Sequence, residues 1–181
     1  MPVVQAFPLI LATPRLRLRP LRASDAALIA LHCSDARLAR MTTTIPHPYP
    51  PGVAESFIAR VTSPRSTETV WALDAGSDHE NGLIGCVSLR MAGEARAGIG
   101  YWVAPAFWGT GFASEAVDAL VAHLAGTGLV ALTAQVFQDN LASVKVLPRA
   151  GFAYMGAGEA HSVARKGMVP TFDYDRAFDP R

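Results

Sequence analysis

Cysteine is scarce in this chain, with two in 181 residues, Cys33 and Cys86. They stand far apart, in no metal-like or redox spacing, which speaks against a disulfide framework and for a reducing compartment. Neither charge sign is in excess: 16 basic against 15 acidic residues leave a net charge of +1. With no basic run and no acidic tail, composition gives no reason to expect nucleic acid or an anionic membrane as partner. No apolar run approaches the ~18 residues of a membrane span. The N-terminal stretch MPVVQAFPLILATPRLRLRP has no basic start and is interrupted by prolines, so it reads poorly as a signal peptide. A soluble cytoplasmic protein is expected. The five histidines show no metal-ligand spacing and no HExxH pair occurs, so no metal is expected.

Half of the residues are apolar, and the length suits one domain, taken as residues 1–181. The run RLRLR (Arg15 to Arg19) alternates charged and apolar side chains, which predicts a half-buried strand with the arginines on its solvated face. A helix is expected from Ser24 through SDAALIALHCSD, with an apolar stripe at Leu28 and Leu31. The prolines of TTTIPHPYPP (42–51) demand an extended loop, and 53–62 reads as a short helical piece. ETVWALDA and LIGCVSLRM read as strands around the turn SDHENG (77–82), and AGIGYWVA follows as another strand after GEAR. Residues 112–125 follow helical spacing, with Val117, Leu120, Val121 and Leu124 on one face and Gly126 and Gly128 ending the helix. LVALTAQVF is a continuous apolar strand of the central kind. DNLASVKVLPRAGF is a short helix stopped near Pro148 and Gly151, and strands are expected around 152–156 and 168–176. The order is mixed α/β with a mostly sequential sheet.

The stretch WVAPAFWGTGFASEA (102–116) places close glycines between a strand and a helix. The first N–H groups of a helix lack internal partners and carry partial positive charge. Glycine lets a phosphate approach that backbone. Gly109, Gly111 and Ala113 can therefore cradle a pyrophosphate, with Ser114 adding a hydroxyl; a plain strand–helix turn is the other reading. A P-loop would need Gly-Lys-Ser/Thr, which is missing. A dinucleotide fold would need a third glycine three residues after Gly111 and an acid closing LVALTAQVF, and the chain has neither.

The order strand, GYWVAPAFWGTGFASEA, strand, DNLASVKVLPRAGF resembles the GNAT superfamily of acyl-CoA-dependent N-acyltransferases, most closely its ribosomal-protein N-terminal acetyltransferase branch. The resemblance runs from about Thr13 to Arg176 and rests on two motifs. Trp108-Gly109-Thr110-Gly111-Phe112-Ala113 follows the family's glycine-loop pattern, with Trp108 at a Gln/Arg position. Asn140-x-x-Ser143 precedes Gly151-Phe152. The resemblance implies an α/β (α+β) fold whose central mixed, mostly antiparallel twisted sheet is splayed at the acyl-CoA site and flanked by helices. It implies acetyl-CoA as cosubstrate, an amine as acceptor, and a monomer or homodimer. It assigns the pantetheine edge to Trp102, Val103 and Ala104, the pyrophosphate to Trp108, Gly109, Thr110, Gly111, Phe112, Ala113 and Ser114, and a further contact to Asn140. Ser143 stands where a hydroxyl protonates the leaving thiolate. Lys145 or Arg149 reaches a CoA phosphate or is a solvated helix face.

Two positions depart from the family pattern. Many relatives carry a glutamate base where this chain has Gly98, and often a glutamate where it has Pro148. Glu94, four residues before Gly98, either replaces the base or is a turn charge. The acceptor side is expected in the loop Ile45 to Tyr49, with His47 and Tyr49, and in the region Glu159 to His161, where His161 is either a base or a structural histidine. At pH 7 an α-amine of pKa about 7.7–8.0 is roughly a tenth neutral, a lysine amine near 10.4 less than about one part in a thousand. A site without a strong base is thus suited to a protein or peptide N-terminus. The alternatives are a small-molecule acceptor (an amino acid, polyamine or antibiotic amine) and a non-catalytic acyl-CoA sensor.

Overall fold

The computed structural model describes residues 10–76 and 82–178. The first nine residues of the N-terminal stretch and Ser77 to Asn81 of the SDHENG turn lie outside the described residues. The strands are β1 (Leu11–Ala12), β2 (Arg17–Pro20), β3 (Glu68–Asp74), β4 (Leu83–Met91), β5 (Arg96–Val103), β6 (Ala131–Phe137), β7 (Ala153–Ser162) and β8 (Gly167–Ala177). The helices are α1 (Ala26–Cys33), α2 (Ala36–Ala39), α3 (Val53–Val61), α4 (Phe112–Leu124) and α5 (Leu141–Arg149). One eight-stranded sheet runs in the order β1-β2-β3-β4-β5-β6-β8-β7. Every pairing is antiparallel except β5 with β6. The order is sequential as far as β6; β8 then inserts between β6 and β7.

Strand alternation divides β3, β4 and β5 between two layers. Trp71, Leu73, Val87 and Ile99 pack with α4 and α5, while Val70, Ala72 and Cys86 pack with α1 and α3. Val117, Leu120, Val121 and Leu124 of α4 are all buried, as their spacing predicts; full burial of each such side chain is worth about 1.5–3 kcal/mol. Cys86 is buried within β4, as expected of a core residue.

The stripe expected on α1 is on the other side. Ala26, Ile29 and Cys33 are buried, Leu28 is only half-buried and Leu31 is exposed. The helix AALIALHC is apolar nearly all round, so its spacing had no polar face to choose against. Its N-cap position belongs to Asp25 rather than Ser24. The C-terminal strands also run longer than expected, because β7 and β8 pair from Ala153–Asp175 to Ser162–Gly167, with one register shift between Tyr154 and Gly156.

The arginines of β2 do not form a single solvated face. Arg19 is fully buried and held between Asp25, which it meets through both terminal nitrogens at 2.9 Å, and Asp74. Asp25 also accepts the Arg22 amide, and Asp74 accepts the amides of Gly76 and Gly82. One guanidinium thus joins β2, the start of α1 and the end of β3. Burial alone would raise the Asp74 carboxyl, but the Arg19 hydrogen bond and the two glycine amides more than offset that and hold it below its usual range. Its contribution to stability is complete above the ordinary carboxylate pKa of about 3.9 and is lost as pH falls through the lower folded value.

Replacing Arg19 with leucine strands two buried carboxylates and is expected to cost about 3–5 kcal/mol in urea unfolding. The loss should shrink at the acid end, where protonation removes the stranded charge. A cost below that of an ordinary surface substitution would contradict the cluster's role.

Candidate active site

Only Arg96–Ala131, Ala97–Leu132 and Gly98–Thr133 pair across the β5–β6 boundary. Beyond Gly98 the two strands part. Ala104 donates to the Ile84 carbonyl of β4, and Val130 donates to the Ala95 carbonyl, so odd-numbered positions of β5 turn their backbone toward β6. The peptide groups of Tyr101 and Val103 therefore face the gap. A cavity of about 630 Å³ fills it, lined by Gly98 to Trp102, by Ala134 to Phe137, and by Asn140 and Ser143 of α5. It continues to the α1–α3 face, where the loop from Met41 to Pro46, Tyr49 and α3 close it.

At the end of β5, Trp108 donates its indole N–H to the Val103 carbonyl at 2.6 Å. This tie holds the strand end against the following loop. Gly109 and Gly111 have φ of +75° and +85°, the left-handed region that favours glycine. Among the described residues, the amides of Gly111, Phe112, Ala113 and Ser114 make no backbone hydrogen bond. They are the unpartnered N–H groups of a thirteen-residue helix, and the dipole there favours an anion.

Arg15 braces the same turn. Its Nε meets Glu115 at 2.6 Å, its Nη1 donates to the Thr110 carbonyl at 2.8 Å, and its guanidinium lies 4.4 Å from the centre of the Phe112 ring. Thr13 and the Arg15 amide complete the hold on Glu115. The alternating RLRLR pattern gave no sign of this contact, since its partners are about a hundred residues away in sequence.

Asn140 accepts the Ser143 amide at 3.3 Å and so caps α5. Ser143 Oγ has no hydrogen bond among the described residues. Tyr101 donates a long hydrogen bond, 3.5 Å, to the Ser143 carbonyl, and burial pushes its phenol up to about 12, so it stays protonated. Tyr101 is a cavity residue that sequence reasoning passed over; its position in the strand before the glycine loop was the available signal.

The other expected residues divide. Trp102 and Tyr49 line the cavity, while Val103 and Ala104 are buried beside it. His47 and His161 are exposed and lie outside the lining, and so does Glu94, in the turn between β4 and β5 at the far end of β5 from Val103. The structure therefore does not bring Glu94, His47 or His161 to the cavity. His161 sits on β7, the edge strand, opposite Met168. Lys145 and Arg149 are on the exposed side of α5. The segment that leads into the loop Ile45 to Tyr49 is pinned by the β7–β8 hairpin, through Val163 to the Thr43 carbonyl and Arg165 to the Arg40 carbonyl. Among the described residues there is no group of three or more His, Cys, Asp or Glu able to hold a metal, and no helix is long and apolar enough to cross a membrane.

Residues 15–153 match the family described as an acetyltransferase (GNAT) domain. The chain belongs to the GNAT acetyltransferase family. Among curated relatives of this GNAT chain is an uncharacterized N-acetyltransferase, YoaA of Bacillus subtilis (strain 168), 35% identical over 89 residues; the match covers 48% of this chain and 49% of that protein. The chain thus matches about half the length of that relative. Among solved structures it is similar to RimL, a ribosomal L7/L12 α-N-protein acetyltransferase bound to coenzyme A, with TM-score 0.80, 20% identity and coverage of 94% and 98% of the two chains. It is also similar to MccE, a microcin C7 self-immunity acetyltransferase bound to acetyl-CoA and AMP, with TM-score 0.79, 16% identity and coverage of 92% and 94%. The splayed mixed sheet is the GNAT fold.

Gly111→Asp adds both a strained side chain and a negative charge among the open amides. It is expected to weaken acetyl-CoA binding at least about tenfold in calorimetry, or ~1.4 kcal/mol, and to lower the unfolding midpoint modestly through the strain at φ +85°. Unchanged affinity would contradict a phosphate cradle at this turn.

Proposed function

We propose that this chain, as a single GNAT domain, transfers acetyl from acetyl-CoA to the α-amine of a protein or peptide. The pyrophosphate takes the amides of Gly111 to Ser114, and the pantetheine arm takes the open backbone of Tyr101. The amine nitrogen attacks the thioester carbon, whose oxygen is polarised by the Val103 amide. The C–N bond forms and the C–S bond breaks. The thiolate takes the Ser143 hydroxyl proton as Ser143 takes one from solvent, and the ammonium loses one to solvent.

The observation that carries the acceptor class is the state of the cavity's carboxylate. Among the described residues Glu68 is the one carboxylate in the lining. Burial would raise it, but hydrogen bonds from Arg60 and Arg90 overcome that and hold it below its usual range. A carboxylate so held is a weak base, and Gly98 offers none. The acceptor must therefore supply its own neutral amine, which an α-amine does a few hundred times more readily than lysine at pH 7, at roughly a tenth neutral against about 0.0004. The similarity to RimL, which acts on a protein α-amine, agrees with this.

A panel of short peptides and small amines, read by thiol release and mass spectrometry, is expected to give products acetylated on α-amines. Exclusive lysine acetylation at neutral pH would contradict the weak-base argument, and acetyl-CoA binding without any product would favour the sensor reading. Ser143→Ala should lower turnover by about tenfold or more while leaving acetyl-CoA affinity nearly unchanged; equal turnover removes the role. A Cβ at position 98 would meet only Thr133 Oγ1 at 3.7 Å and the Arg90 carbonyl at 3.9 Å, so a side chain fits. Gly98→Glu is expected to fold and to raise the rate on lysine amines relative to α-amines; an unchanged ratio would show that the missing carboxylate does not set the acceptor class.

A further inference from the structure

The charged side chains lining the cavity, among the described residues, are Arg60, Glu68 and Arg90. Strand register explains their grouping. Glu68 pairs with Arg90, Arg90 with Gly98, and Gly98 with Thr133, so the four form one row across β3, β4, β5 and β6. Paired residues share a face of the sheet. The row therefore presents a carboxylate, a guanidinium, an empty position and a hydroxyl, in that order.

Both guanidiniums bind the same oxygen. Arg60 Nη1 lies 2.8 Å and Arg90 Nη2 3.1 Å from Glu68 Oε2. Each guanidinium has five N–H donors, so each keeps several for another group. The side chains of Arg60 and Arg90 are 57% and 60% exposed, while that of Glu68 is 11% exposed. The cavity wall thus shows two accessible cations around one covered anion, next to the space that Gly98 leaves unfilled.

We propose that Arg60 and Arg90 select an acceptor that carries a carboxylate or phosphate a few bonds from its amine. This rests on the transferase reading above and adds the acceptor's charge to it. The anionic group enters at the α3 side of the cavity and pairs with donors that Glu68 leaves open, while the amine points through the gap toward the thioester. In a peptide the group is an acidic side chain at the first or second position; in a small molecule it is the molecule's own carboxylate or phosphate. A polyamine would instead bring positive charge against two arginines, which the one covered carboxylate does not balance.

The test uses the full chain with acetyl-CoA and three peptides that differ only in starting with Asp, Ala or Lys, with free aspartate and phosphoserine alongside. kcat/KM is measured for the unmodified protein, Arg90→Gln and Glu68→Gln. The Asp peptide should exceed the Ala peptide by about fivefold, the scale of one partly exposed ion pair, and the Lys peptide should be poorest. Arg90→Gln should reduce that ratio and Glu68→Gln should increase it; these opposite shifts cannot come from general damage to the fold. Better turnover of aspartate or phosphoserine than of the peptides keeps the anionic specificity and makes the source a small molecule. Acetylated peptides with equal or Lys-favouring ratios, or two variants shifting the ratio the same way, overturn the inference alone. No product from any amine overturns the transferase reading and the inference with it.

Discussion

The parting of β5 from β6 after Gly98 governs what the protein can do. Three pairings hold the strands together, and beyond them Tyr101 faces a cavity instead of a neighbouring strand, while the Val103 amide turns to the same side and its carbonyl takes the Trp108 indole. Unpaired backbone at the centre of a sheet is costly unless something satisfies it. Here the outer parts of the fold keep the gap open. The helices α4 and α5 pack on one face, the α1–α3 layer on the other, and the Trp108 indole ties the end of β5 to the turn that follows. Residues 98–102 of β5, Ala134 to Phe137 of β6 and the α5 residues Asn140 and Ser143 line that one space, and the glycine turn lies beyond its lining at the end of β5.

Charge in this protein is spent on fixing turns and on shaping the cavity, with almost no net surplus. Arg19 joins three elements from inside, and Arg15 braces the glycine turn from outside. Arg60 and Arg90 occupy the only lining carboxylate among the described residues. The chemistry left to the proposed mechanism is positional: the Val103 amide near the carbonyl, the Ser143 hydroxyl at the leaving sulfur, and an acceptor amine that is already partly neutral.

Much of this was readable in the sequence because its signals are local. The α4 stripe, the apolar β6, the proline-rich loop and the glycine turn each depend on a few adjacent residues, and each appears as expected. The failures involve long separations or weak patterns. Arg19 looked solvated because Asp74 lies 55 residues away. Leu31 looked buried because α1 offered no polar face. His161 looked like part of the acceptor side because β7 was expected to be short, whereas it continues as an exposed edge strand. Glu94 is near Gly98 in sequence, but the β4–β5 turn carries it away from the cavity. Glu68 was overlooked because the row that brings it toward Gly98 exists only once β3, β4 and β5 are paired.

The most direct test of the account is amide-resolved hydrogen exchange with and without coenzyme A. Binding in the gap should slow exchange at Tyr101 and Val103 and at Gly111 through Ser114, and leave the amides of α3 unchanged. Tight binding that protects none of these amides, or protects only the α3 side, would contradict the placement of the cosubstrate on which the mechanism rests.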